Sequence, residues 1–140
     1  MRAASVFSKV RVYVDLTGRS HHMETFDKTT ATWIASGGST YLSTGVSFGY
    51  GSLATAPPFT TQPSIGQAPL CKTDLNVDIP QTACVIFNSR GVPVDSIGNP
   101  IVDTVYVTDG SVVYGIAVSA SGMIRSWKTP AYSTAAWVQQ

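Results

Sequence analysis

The feature that most constrains this chain lies near its C-terminal end. Thr108-Asp109-Gly110-Ser111 stands between Val105 and Val107 on one side and Val112, Tyr114, Ile116 and Val118 on the other. Apolar residues recurring at every second position are a strand signature. Asp-Gly set between two such runs predicts a β-hairpin, because the turn needs residues that accept positive φ. Ser119-Ala120-Ser121-Gly122 predicts a second turn, and Met123 to Trp127 a further strand ended at Thr129-Pro130. A polar tail with Tyr132 and Trp137 follows. Strands paired so locally imply an antiparallel β-domain.

The rest of the chain extends this reading. Val10, Val12, Val14 and Leu16 alternate with Arg11, Tyr13 and Asp15, as in a half-buried strand. Thr17 to Ser20 turns the chain, and His21 to Phe26 reads as the returning strand. Ser36-Gly37-Gly38-Ser39 reads as a loop, and Val46, Phe48 and Tyr50 as another strand. Gly51 to Leu70 holds four prolines and reads as a long irregular loop, a kind of segment that is usually functional or mobile. Ala83 to Phe87 is a wholly apolar run, expected at the centre of a sheet. Arg2 to Ser8 has helix-like composition but is too short to stand alone, and is expected to be the last turns of a longer helix. The expected fold class is therefore α+β, mostly β. One domain spans 1–140, with a helical stub over 1–8 and an antiparallel β-sheet or sandwich over 9–140.

Composition narrows the function. Charged residues make up 12% of the chain, about half the usual share. The formal net charge is +1 with no Lys/Arg run, so no strongly electrostatic partner is announced. No apolar run approaches the ~18 residues of a membrane helix. Cys71 and Cys84 fit no zinc template. They are either two reduced core thiols or a disulfide closing a loop that holds Asn76 and Pro80. The disulfide is the preferred reading, and it implies an oxidising compartment. Such a compartment requires a targeting segment, so the natural N-terminus is expected to lie further upstream.

Few residues suggest chemistry. His21 and His22 are neighbours on a strand, point to opposite faces and cannot chelate one metal together. Asp74 with Asp78, and Asp95 with Asp103, read better as turn residues than as calcium ligands or an acid/base pair. No nucleophile elbow, P-loop or dinucleotide fingerprint occurs. The chain reads as a non-enzyme with no cofactor and no metal. Arg125, Trp127 and Lys128 form a small basic-aromatic cluster suited to weak contacts with nucleic acid or a partner. An edge strand with solvent-facing cations is the plainer alternative.

The order of these elements, with Ile86-Phe87-Asn88-Ser89-Arg90-Gly91 and Val118-Ser119-Ala120-Ser121-Gly122-Met123-Ile124-Arg125, resembles the C-terminal domain of the GspH/FimT class of type IV pilin-like proteins. These are minor pseudopilins of type II secretion and minor pilins of type IV pili. The resemblance covers most of the chain. It implies a head domain on a helical stalk, with a processed and methylated prepilin N-terminus. The full-length form would be anchored in the bacterial inner membrane by a single pass, with the head on the periplasmic or extracellular side. Its implied partners are other pilin or pseudopilin subunits, secreted cargo or the outer-membrane secretin. DNA is disfavoured, because Met123 stands where DNA-binding members are expected to carry a basic residue. The connection bearing Arg90, Gly91, Pro93, Gly98 and Pro100, with the Pro57 to Pro69 loop, is expected either to contact partners or simply to join two strands. The alternative function is an extracellular or periplasmic β-sandwich module binding carbohydrate or nucleic acid, with Trp33, Tyr41, Trp127 or Trp137 stacking on the ligand.

Overall fold

The structure, a computed structural model, describes residues 7–58, 62, 64–132 and 134–140. The described residues form ten strands: β1 (Phe7–Asp15), β2 (Ser20–Asp27), β3 (Thr32–Tyr41), β4 (Ser47–Phe48), β5 (Thr82–Asn88), β6 (Pro93–Val94), β7 (Asp103–Thr108), β8 (Val112–Val118), β9 (Ile124–Pro130) and β10 (Val138–Gln139). They form two antiparallel sheets, ordered β3-β2-β1-β5-β6 and β10-β9-β8-β7-β4. The expected helical stub is not found. No helix occurs among the described residues, and Phe7 and Ser8 already belong to β1, so the fold is all-β and not α+β. The rest of the expected stub, 1–6, lies outside the described residues.

Both hairpins read from the C-terminal third are present. β7 pairs with β8 and β8 with β9, in unbroken antiparallel register. The first sheet lays Val14, Ala83 and Val85 against Val118 of the second, with Val12, Phe87, Phe48 and Val105 packed around them. The opposite face of the second sheet is covered as well. There Tyr106, fully buried, meets Val113 and Leu53, with Tyr50, Ile65 and Trp137 around them. The proline-rich loop thus forms a third layer. Gln67 and Gln62 fasten it to Tyr106, through the Tyr106 backbone and its hydroxyl respectively.

This third layer covers the face of β8 that carries Val113 and Gly115. Tyr114 and Ile116, the large residues of the alternating run, are 40% and 45% exposed. The small residues between them, Val113, Gly115 and Ala117, are buried, and Val113 and Gly115 face the loop at Leu53 and Pro57. Gly115 pairs with Tyr106, and a Cβ there would come within 3.0 Å of the tyrosine ring. A bulky aromatic on β7 therefore demands small neighbours on β8. The expected Ser36–Ser39 loop is also corrected: these residues lie inside edge strand β3. Gly37 there takes a φ of 78°, and the pairing slips between His21 and Met23.

Four turns share one wiring. In Thr73–Val77, Asn88–Val92, Asp95–Asn99 and Ser119–Met123, the N–H of the fourth residue donates to the carbonyl of the first. The N–H of the first donates to the carbonyl of the fifth. The side-chain oxygen of the first accepts the N–H of the fifth. The fourth position is Asn76, Gly91, Gly98 or Gly122, each at positive φ. A short polar side chain holds each turn open, and glycine or asparagine supplies the left-handed residue that closes it.

Cys71 and Cys84 are joined by a disulfide, as preferred from the sequence. It ties the loop before β5 to the strand itself, across 13 residues. Reduction should lower unfolding stability by ~3 kcal/mol, since the open chain regains loop entropy. Urea titrations with and without reductant measure this, and coincident curves would show that the link constrains nothing.

Candidate functional site

The sequence-derived cluster Arg125, Trp127 and Lys128 does not assemble. Trp127 is 4% exposed and offers no face to a base. Lys128 is exposed and lies over the Tyr114 ring at 5.8 Å. Arg125 and Lys128 stand three positions apart on β9 and leave opposite faces of the sheet. Arg125 instead borders a shallow recess with Met123 and Trp127, and donates to the Met123 sulfur at 3.4 Å. Arg125, Trp127 and Lys128 therefore do not form one shared surface.

The connection between β5 and β7 is two of the shared turns in series. Arg90, Gly91, Gly98 and Pro100 are exposed, but Pro93 is fully buried in β6 against Phe87 and is removed from the candidate surface. Asp95 holds the second turn by accepting the N–H groups of Ile97 and Asn99. Those backbone donors, led by Asn99, lower its pKa below the usual value. At the tip stands Ile97, 81% exposed, which the sequence reading passed over. The recurring polar-x-x-Gly spacing is the signal that would have marked it.

The sheets do not overlap fully. On the face of the second sheet that elsewhere meets the first, Tyr114, Ile116 and Ile124 lie outward in neighbouring strands, with Val138 beside Lys128. This leaves an apolar strip edged by Lys128.

A deeper feature lies on the outer face of the first sheet. Arg11, only 4% exposed, binds Glu24 at 2.6 Å and donates to the Lys72 carbonyl at 2.9 Å. The other oxygen of Glu24 meets His22 at 2.8 Å, and His22 stacks on Tyr13. The Arg11 guanidinium covers the Trp33 ring at 4.2 Å, and Lys9 lies over Phe26 and Trp33. Alternation along β1 explains the cluster, because the residues facing away from Val12 and Val14 fall here. Beside it the disulfide loop roofs a cavity of about 270 Å³.

Of the sequence-read acidic pairs, Asp78 meets Lys72 and Asp74 accepts the Trp33 N–H. Asp103 is not a turn residue. It lies in β7, 3% exposed, and one carboxylate oxygen has no hydrogen-bond partner among the described residues. Burial, with Asp95 adding repulsion, raises its pKa to about 6. The folded state therefore keeps a proton that the unfolded chain would release. Stability from this group grows as pH falls through about 6 and levels off below the ordinary value of 3.8. Asp103→Asn should remove this rise and add on the order of 2 kcal/mol at neutral pH. Unfolding at pH 5 and pH 8 tests it, and parallel profiles for parent and variant would contradict it.

The residues suggested as sugar-stacking platforms are mostly engaged. Trp33 lies under Arg11, Trp127 is buried, and Trp137 leans on Tyr106 while donating to the Thr55 carbonyl. Tyr41 is open at 70% exposure. Among the described residues no group of three or more His, Cys, Asp or Glu is placed to hold a metal, and no helix is long and apolar enough to cross a membrane. Compared with protein-family models, curated proteins and solved structures, the chain matches none.

Proposed function

We propose that this chain is the extracytoplasmic β-domain of a filament subunit, a minor pseudopilin or minor pilin, whose work is assembly rather than catalysis. One observation carries the reading. The two segments that bear the resemblance to the GspH/FimT class form turns of identical wiring and touch each other. A Cβ on Gly122 would lie 2.7 Å from the Gly91 carbonyl oxygen. Two separated segments thus meet at one structural junction, which supports a structural role for them.

The outward strip of Tyr114, Ile116 and Ile124 supports an assembly role, since neighbouring subunits need an apolar surface to pack on. The rigid turn carrying Ile97 is a second surface for a neighbour or cargo. In this reading polymerisation depends on a stalk helix that the β-domain itself does not supply. The β-domain alone stays a monomer or weak dimer. The coding sequence upstream of Met1 tests the class. A prepilin leader, a Gly-Phe junction and a long apolar helix support it. A plain secretory signal peptide contradicts it and favours a free binding module.

A further inference from the structure

Leu75 and Ile97 are the two most exposed large apolar side chains among the described residues, at 86% and 81%. Both occupy the third position of a turn of the shared wiring, Thr73–Val77 and Asp95–Asn99. The wiring does not require an apolar residue there, since the same position holds Arg90 and Ser121 in the other two turns. The two turns also belong together. Asp74 and Asn76 of one and Asp95 of the other border the same recess on the outer face of the first sheet. A single exposed aliphatic residue is ordinary, but two on rigid tips flanking one recess form a surface. That surface is acidic. Asp74 and Asp95 accept backbone N–H groups, and neither pairs with a cation among the described residues.

The uncovered strip on the second sheet has the opposite sign. Register places Tyr114, Lys128 and Val138 in one row across β8, β9 and β10, with Ile116 and Ile124 further along the same face. All five are exposed, and Lys128 is the cation among them. We infer that the Leu75 and Ile97 tips of one copy of this chain dock on the strip of a second copy, with Asp74 and Asp95 turned toward its Lys128. Pairing the unlike surfaces joins apolar to apolar and acid to base. Tips on tips, or strip on strip, would set like charges against each other, which is costly at an interface. A lipid bilayer is a poorer occupant, because its anionic surface repels the carboxylates beside the tips. The contact is heterologous: each added copy leaves one tip pair and one strip free, so a series of copies can continue. It rests on the filament reading for its strength, since a stalk that holds subunits side by side supplies a local concentration the isolated β-domain lacks.

Two double variants test the contact, each checked first for a folded spectrum. Leu75→Asp with Ile97→Asp removes the tips, and Ile116→Asp with Ile124→Asp removes the strip, so each keeps one surface. In the parent, amide shifts should grow with concentration at both patches together, with one midpoint in the millimolar range. Each variant alone should associate about tenfold more weakly or less. Mixing the two should restore pairing near parental strength. Shifts should then appear at the strip of the tip variant and at turns 73–77 and 95–99 of the strip variant. Lys128→Glu should weaken association of the parent about tenfold. If a variant does not fold, the parent decides, because its shifts must appear at both patches. A parent without concentration dependence, a mixture that stays monomeric while the parent associates, or shifts at one patch only would each overturn the contact. Binding of the parent to phosphatidylcholine–phosphatidylglycerol vesicles, lost in the tip variant, would overturn the second copy in favour of a lipid surface. These outcomes bear on the contact alone, whereas the filament reading is decided by the coding sequence upstream of Met1.

Discussion

Glu24→Ala is expected to destabilise the fold by ~3–5 kcal/mol, which is a large part of what a domain of this size has to lose. The reason is the state in which it leaves Arg11. That guanidinium is 4% exposed, and Glu24 is the carboxylate it binds. Without it the cation keeps the Lys72 carbonyl and the ring faces of Trp33 and Tyr13. None of these neutralises it. Glu24→Gln preserves the shape and one acceptor, so it should cost less. Exchanging Arg11 and Glu24 together for apolar residues should restore most of the loss, because the desolvation of both charges disappears. The exposed Lys72–Asp78 pair provides the contrast, and Asp78→Ala should cost under ~1 kcal/mol. Urea midpoints of the four variants measure this. A Glu24→Ala midpoint equal to that of Asp78→Ala would mean that Arg11 is not held as described.

Gly122→Ala is expected to cost ~2–5 kcal/mol, from two separable causes. Its φ of 89° is left-handed, which charges an L-residue about 1–2 kcal/mol. The added Cβ would also lie 2.7 Å from the Gly91 carbonyl oxygen, so backbone must shift, at about 1–3 kcal/mol. Gly98 isolates the first cause. It has a φ of 96° in a turn of the same wiring, with nothing within 4 Å of its Cβ position. Gly98→Ala should therefore cost only the conformational part, ~1–2 kcal/mol. The difference between the two variants measures the contact between the Gly91 and Gly122 turns. Equal losses would show that the two turns do not depend on each other.

The strands were legible where neighbours in sequence are neighbours in space. Asp109-Gly110 placed a hairpin correctly because its turn chemistry is local. Val14, Ala83 and Val85 entered the core as their patterns implied. The covered face of β8 was not legible, because it depends on Tyr106 of the paired strand and on Pro57, far away in the chain. Periodicity reports alternation, but not which of two faces a distant loop will cover. The helical stub failed because composition says little over so short a stretch: Phe7 and Ser8 belong to β1, and Phe7 pairs with Asp27. Glycines suggested a loop at Gly37-Gly38, where β3 absorbs them as an irregularity.

The candidate site was less legible. Arg125, Trp127 and Lys128 are close in sequence but are divided by the two-residue period of a strand. The cluster of Arg11, Glu24 and Trp33 is drawn from three strands, and no spacing announces it. Asp103 looked like a turn residue because aspartate usually is one, and only its burial distinguishes it. The link between Cys71 and Cys84 was readable because their loop is short.

The filament reading is tested most directly in cells that express the full-length protein, by shearing surface and periplasmic filaments and asking where this chain sedimentates. Detection should use an antibody to the β-domain. The account predicts that the chain co-sediments with the filaments or stays in the inner membrane. Ile116→Asp with Ile124→Asp, on the outward strip, should deplete it from the filament fraction without lowering the domain's melting temperature. Recovery of the protein solely as a free, released monomer, with or without those substitutions, would contradict it.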